Sequence, residues 1–280
     1  MTVLPGKLSD YAGKEMSGDF APLVLIPTTA GTGSEATKFF VYTDTATDAK
    51  LLMKGDALLP KLAVIDWTYT ISSPVSITVA TGMDALTHAV EAYTSKKSNP
   101  VTDIYCLDAI KQIFKYLPLA AKDGNDKTAR EQMALAAYEA GVCINNSSVT
   151  LVHGMSRPIG ALFHVPHGIS NAMLITECLR FALDGEGAEE RFAKIAEEIG
   201  EAEKTDSPSC ASKKFLGALE RLTKTLEVPS LREYGIDLEK FAVSEEKMAS
   251  DALASGSPAN TRKAVIKEDI IAIYDRLRLA

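Results

Sequence analysis

Two patterns of apolar residues divide this 280-residue chain near position 72. Before it, Leu23 to Ile26, Phe39 to Tyr42, Leu51 to Met53 and Leu62 to Ile65 are short β-branched or apolar runs separated by Gly, Thr, Asp and Pro, which predicts strands. Beyond it the apolar positions recur at helical spacing. Val79 to Tyr93 is apolar around most of its circumference and predicts a buried helix, while Asp103 to Tyr116 carries Ile104, Leu107, Ile110, Ile113 and Phe114 on one stripe. Arg130 to Val142 is rich in Ala, and Glu189 to Ile199, Ser212 to Leu226 and Glu268 to Leu277 each show an apolar stripe. Ser207-Pro208-Ser209, Val228-Pro229-Ser230 and Gly256-Ser257-Pro258 punctuate the helical part. The expected fold is a partial α/β unit over residues 1–72 followed by an all-helical domain over residues 73–280. A sheet of so few strands leaves unpaired backbone along its edges, so self-association into a homo-oligomer is expected.

Composition narrows the partners. With 46% hydrophobic and 24% charged residues this is the balance of an ordinary soluble chain, and no apolar run reaches the roughly eighteen residues of a membrane span. The N-terminus lacks the basic region and apolar core of a secretory signal, which predicts a cytoplasmic location. A net charge of −7, with only the isolated basic pairs Lys96-Lys97 and Lys213-Lys214, argues against nucleic acid as a partner. Glu189-Glu190-Arg191 and Glu197-Glu198 read as solvated helix faces. Cys106, Cys143, Cys178 and Cys210 are scattered with no CysXXCys pair, and are expected to be reduced, structural thiols.

The candidate chemistry lies in two places. Asp84 and His88 stand four residues apart in the predicted buried helix, a spacing that puts both on one face. Alone, such a pair is more often a helix-face ion pair than a metal site. A buried carboxylate nevertheless needs a partner, and a cation is one. The remaining histidines fall between His153, in an apolar run broken by Gly154 and Pro158, and His167, flanked by the chain-bending Pro166 and Gly168. Each alone reads as a core or turn histidine. Together with Asp84 and His88 they make a set of one carboxylate oxygen and three imidazole nitrogens, suited to iron(II) or zinc with a position left open for substrate oxygen.

Four segments carry a resemblance: IleProThrThrAlaGlyThrGlySerGlu (26–35), GlyMetAspAlaLeuThrHisAlaValGluAlaTyr (82–93), HisGlyMetSerArgProIleGly (153–160) and HisValProHisGlyIleSerAsnAla (164–172). In content, order and separation they resemble the iron-containing alcohol dehydrogenase family, from about Pro22 to the C-terminus. The resemblance implies a dehydroquinate synthase-like fold, here N-terminally truncated, with metal ligands at Asp84, His88, His153 and His167. It also implies NAD(P) as cofactor, in a groove lined by Thr28, Thr29 and Thr32. Lys50 resembles a family position on the cofactor side of the cleft, or is an exposed hairpin lysine. The implied reaction is hydride transfer between a small alcohol or aldehyde substrate and NAD(P), with Fe2+ or Zn2+ activating the hydroxyl.

Two departures from that family matter. No GlyGlyGlySer-type turn precedes Pro22, so the main pyrophosphate-binding portion of the cofactor site is expected to be absent. Arg157 stands where many relatives have a further histidine, four residues after His153, and arginine does not titrate near neutrality. It either forks onto an anionic group of the substrate or pairs with a nearby Asp or Glu. His164 then remains for proton transfer, or is a structural residue. Two functions compete: a metal-dependent alcohol dehydrogenase, and a truncated metal-binding relative with little or no redox activity.

Overall fold

The structure, a computed structural model, describes residues 6–11, 13–18, 20–44 and 49–279. The four predicted strands are present as β1 (Val24–Leu25), β2 (Phe39–Asp44), β3 (Ala49–Lys54) and β4 (Leu62–Ala63). They do not share one incomplete sheet as expected. β1 pairs in parallel with β4, and β2 pairs antiparallel with β3, placing Phe40 opposite Met53 and Tyr42 opposite Leu51. The β1 ladder stops early because Pro27, lacking an N–H, follows the apolar run.

Nine α-helices follow among the described residues: α1 (Val75–Thr94), α2 (Pro100–Lys122), α3 (Lys127–Asn146), α4 (Leu151–Phe163), α5 (His167–Ala182), α6 (Ala188–Glu198), α7 (Pro208–Thr225), α8 (Leu238–Ala254) and α9 (Lys267–Leu279). The start of several is written in local chemistry. Asn99 accepts from the amides of Val101 and Thr102 while Pro100 opens α2, Asp126 caps α3, Ser207 precedes Pro208 at α7, and Asp237 caps α8.

Helix α1 is the axis of the helical part, packed by α2, α3 and α5. Met83, Ala85, Leu86, Ala89, Val90 and Ala92 on it are fully buried, and its inward hydroxyls stay satisfied inside the helix. Thr87 Oγ1 donates to the Met83 carbonyl at 2.7 Å and Thr94 Oγ1 to that of Val90 at 2.8 Å. Glycine sets the approach of α5, since a Cβ on Gly168 would lie 2.0 Å from the Ala80 carbonyl oxygen. No helix among the described residues is long and apolar enough to cross a membrane.

Several expectations need correction. Helix α4 runs unbroken through Gly154 and Pro158. Proline's missing N–H and its ring disturb only the bond to the Gly154 carbonyl, and Gly154 is itself the contact point for Pro258, while the Tyr274 hydroxyl donates to the Met155 carbonyl at 2.7 Å. Pro166 does bend the chain, at the N-cap of α5, but Gly168 lies inside the first helical turn. Helix α8 has no counterpart in the predicted elements, although Phe241, Met248, Ala249 and Ala252 bury one face of it. Arg191 is not a solvated surface charge. Its guanidinium lies 3.8 Å from the Tyr93 ring centroid, donates to the Tyr93 carbonyl at 2.6 Å and pairs with Asp103 at 2.5 Å. All four cysteines are free, as expected; Cys106, Cys143 and Cys178 are buried, whereas Cys210 is exposed.

Candidate metal centre

The tight α1–α5 contact and the start of α4 bring three helices to one point. Asp84 and His88 face inward from consecutive turns of α1, His153 comes from the first turn of α4, and His167 is the first residue of α5. The Nε2 atoms of His88, His153 and His167 lie 3.8, 3.6 and 3.6 Å from a single atom, Asp84 Oδ1. The donor atoms of Asp84, His88 and His153 all fall within 4.8 Å of one another. His167 joins this trio through Asp84 from the outer edge, its side chain 42% exposed while those of Asp84 and His153 are 5% and 4% exposed. The His88 and His153 rings stack at 4.6 Å, and His153 meets His167 edge-on at 5.1 Å.

Two residues absent from the predicted set complete the centre. Glu91, fully buried on α1, receives the Thr150 hydroxyl at 2.6 Å, the Val152 amide at 2.7 Å and His153 Nδ1 at 2.5 Å. One carboxylate therefore caps the otherwise uncapped start of α4 and fixes which nitrogen of His153 points inward. Asn171, fully buried on α5, donates from Nδ2 to Asp84 Oδ1 at 2.7 Å. Both were within reach of the spacing rule that found Asp84 and His88, because Glu91 follows His88 by three residues and Asn171 follows His167 by four.

The electrostatics are those of a dry site. Burial would raise the Asp84 carboxyl, but the surrounding imidazoles hold it far below the usual carboxylate range. Burial pushes His88 and His167 down to about 4 against the pull of Asp84, leaving both neutral at pH 7. Burial would also depress His153, but the charges of Glu91 and Asp84 on either side raise it to about 9. Two neutral imidazoles with inward lone pairs, a third, His153, that would release its Nε2 proton to a cation, one ionised carboxylate and a carboxylate behind one ring suit a divalent cation of the iron(II) or zinc type.

The other predicted residues are placed as follows. Arg157, one turn beyond His153 on α4, is exposed, donates from Nη1 to Ser257 Oγ at 3.0 Å, and lies close enough to help depress His167. Among the ion pairs of the described residues, none includes Arg157. His164 ends α4 in the left-handed region, at φ 54°, and is exposed. It takes no part in the contacts that join the other three histidines to Asp84. The segment from Thr28 to Thr32 folds over α1, where a Cβ on Gly31 would lie 2.4 Å from Thr81 Cβ, and the Gly31 backbone reaches the His88 ring. Thr28 and Thr32 are exposed, Thr29 is half-buried, and Thr32 Oγ1 lies 3.1 Å from Ser34 Oγ. Gly33 continues the loop at φ 59° against Gly141 of α3, with room for a side chain on neither. Lys50 lies on β3 opposite Thr43, and its side chain is outside the described residues.

Comparison with known proteins gives a consistent set of matches. Residues 78–277 match the family described as Fe-containing alcohol dehydrogenase family, C-terminal, and residues 2–67 match the one described as Iron-containing alcohol dehydrogenase. The NAD-dependent methanol dehydrogenase of Bacillus methanolicus is 38% identical over 255 residues, covering 90% of this chain and 66% of that protein. The crystal structure of a 1,3-propanediol oxidoreductase superposes with a TM-score of 0.92 at 38% identity, over 98% of this chain and 71% of the other. A sulfoacetaldehyde reductase from Bifidobacterium kashiwanohense in complex with NAD+ superposes with a TM-score of 0.86 at 27% identity, over 98% and 70% of the two chains. The chain thus spans about two thirds of the length of these relatives.

Proposed function

The chain belongs to the iron-containing alcohol dehydrogenase family, and on that premise we propose that it is a metal-dependent alcohol dehydrogenase and aldehyde reductase, moving hydride between a small alcohol and NAD(P). The observation that carries this reading is the convergence of three imidazole Nε2 atoms on Asp84 Oδ1. Asp84, His88, His153 and His167 would hold the ion, Fe2+ or Zn2+. A divalent ion there would supply Lewis acidity, easing loss of the hydroxyl proton from an alcohol or polarising an aldehyde carbonyl in the reverse direction.

The chain's own residues do the rest. Asp84 offsets part of the ion's charge, while Glu91 holds His153 with Nε2 inward. Water is kept from three sides by α1, α4 and α5, and the exposed edge of His167 marks the side from which substrate enters. A bound NAD(P) would supply the hydride acceptor for the carbinol hydrogen in oxidation, and the hydroxyl proton would leave to solvent along that open edge; His164, exposed and three residues before His167, is the histidine we assign to carry it. Thr28, Thr29 and Thr32 would offer hydroxyls to the cofactor, and by the family resemblance Lys50 belongs with them. The reading includes a cytoplasmic homo-oligomer without a nucleic-acid partner, in keeping with four free cysteines and a net charge of −7.

Fluorescence titration of NADH into the zinc- or iron-loaded protein, followed by assay of 1,3-propanediol and methanol oxidation, tests the proposal. Saturable binding below millimolar NADH and alcohol-dependent NADH formation are expected. A metal-loaded protein that binds no NADH up to millimolar concentration would instead be a metal-binding relative without redox turnover.

A further inference from the structure

Asn171 holds an unusual position among the four donor groups. Its Nδ2 lies 2.7 Å from Asp84 Oδ1 and 3.3 Å from both His153 Nε2 and His167 Nε2. Its Oδ1, on a residue with no solvent exposure, meets no hydrogen-bond donor. The amide hydrogens thus lie against Asp84 Oδ1 and two imidazole nitrogens, while the better acceptor of the same group is left without a partner among the described residues, a costly arrangement in a dry interior. An ion about 2.0–2.2 Å from Asp84 and two of the imidazoles would lie no more than about 3 Å from the Asn171 amide nitrogen, with positive hydrogens turned toward it. Cation and amide N–H cannot both be stable there.

A half-turn of the carboxamide resolves the conflict with almost no change of shape. It exchanges Nδ2 for Oδ1, so the unpartnered oxygen takes the place facing the ion. We propose that Asn171 is a fifth ligand of the centre, binding the divalent cation through Oδ1, and that the same side chain holds Asp84, His153 and His167 together through Nδ2 when it faces them. The inference rests on the metal-centre reading above. A fifth oxygen donor favours iron(II), which accepts five or six ligands, over zinc, which in closed sites prefers four.

Competition between the full-length protein and a chromophoric chelator, run separately with Zn2+ and with Co2+ as a stand-in for iron(II), tests this. The variants are Asn171→Leu, similar in shape but without donor atoms, Asn171→Ala, and Asn171→Asp, which keeps an oxygen but cannot donate to Asp84. Affinity is expected to fall at least tenfold in the Leu and Ala variants, more for Co2+ than for Zn2+, and to be held or increased in the Asp variant. Cobalt absorption should move toward the more intense bands of four-coordination in Asn171→Leu. Should Asn171→Asp bind as poorly as Asn171→Ala, Asn171 acts only as an amide donor orienting Asp84, and the ligand assignment is wrong. Binding by Asn171→Leu equal to the parent overturns it as well. Circular dichroism identifies a variant that fails to fold, in which case the Ala and Asp pair decides. Absence of metal binding by the parent protein itself would count against the metal centre as a whole.

Discussion

Glu91 carries a negative charge in the interior with no Lys or Arg in an ion pair with it among the described residues, and three hydrogen bonds do the work of solvation. Burial would raise its pKa, but His153 and the Thr150 contacts hold it down. Glu91→Gln keeps an oxygen for Val152 and Thr150 but presents an amide, itself a donor, to His153 Nδ1. Metal affinity is expected to fall by about 10–100-fold, as for other partners behind metal-binding histidines, and a loss under about threefold by chelator competition would mean that the contact is only structural. Glu91→Ala should in addition cost about 3 kcal/mol in urea unfolding, because the Val152 amide and the Thr150 hydroxyl lose their acceptor. Arg157 poses the opposite problem, a cation with no ion pair among the described residues, on which only the more distant charge of Glu91 acts. The hydrogen bond from Arg157 to Ser257 Oγ occupies one guanidinium nitrogen, and we infer that the remaining N–H groups serve a substrate anion. A charge-assisted bond contributes about 1.5–3 kcal/mol, so Arg157→Ala should lower kcat/KM about tenfold or more on a carboxylate- or sulfonate-bearing aldehyde. On an uncharged aldehyde of equal length it should change little. Equal losses on both would dismiss an anion-binding role.

At the scale of elements, the fit of α5 against α1 decides whether the donors meet. Gly168→Ala would set a methyl group 2.0 Å from the Ala80 carbonyl oxygen, forcing α5 outward and carrying His167 and Asn171 with it. Stability should drop by about 1–3 kcal/mol, the usual range for overpacking, and metal affinity should drop with it. Unchanged affinity in a destabilised protein would show that the centre tolerates the shift. Helices α2 and α3 give a pH effect. Burial and then the charge of Asp108 raise the Glu139 carboxyl to about 7. The folded state therefore favours the protonated acid: its stabilisation is full below pH 4.5 and is lost as pH rises toward 7. Glu139→Gln should flatten that slope and be more stable than the parent at pH 8 by about 1–2 kcal/mol, after allowing for partial solvent screening. An unchanged slope in urea unfolding would remove Glu139 as its source. The same elements explain what was legible in the sequence. Helix α1 was plain because its apolar residues wrap the whole cylinder, and the four-residue step from Asp84 to His88 could be read on it. Helix α4 was not, because Gly154 and Pro158 signal a break locally while Pro258 and Tyr274, distant in sequence, make that geometry favourable. Helix α8 was hidden by the charged residues around Val243, which is 83% exposed.

For the whole molecule, two kinds of long-range organisation remain to be tested. Leu23, Val24, Ile26, Leu62 and Val64, on and beside the parallel β1–β4 pair, are 43, 51, 48, 53 and 37% exposed. Large apolar side chains exposed together on so short a pair of strands are expected to be covered in an assembly. Sedimentation velocity at micromolar concentration should accordingly give a dimer or larger species, and a clean monomer would be evidence against it. The second kind is the centre itself. No local pattern could establish that residues from α1, α4 and α5 meet, because the convergence depends on how the helices pack. The resemblance of separate motifs suggested it, and the shared distances to Asp84 Oδ1 give it form. An ion held by side chains from three helices binds the folded chain and not the unfolded one, so it must stabilise the fold by mass action. At a free metal concentration of about one hundred times Kd the gain is about 2.7 kcal/mol, which for a chain of this size corresponds to a rise of about 5–10 °C in Tm. Removing metal with a chelator should reverse the shift, and replacing His88 by Ala should reduce it sharply. If chelation leaves Tm unchanged while metal analysis confirms that the ion has gone, the three helices are held together without it, and the centre would owe nothing of its geometry to the cation.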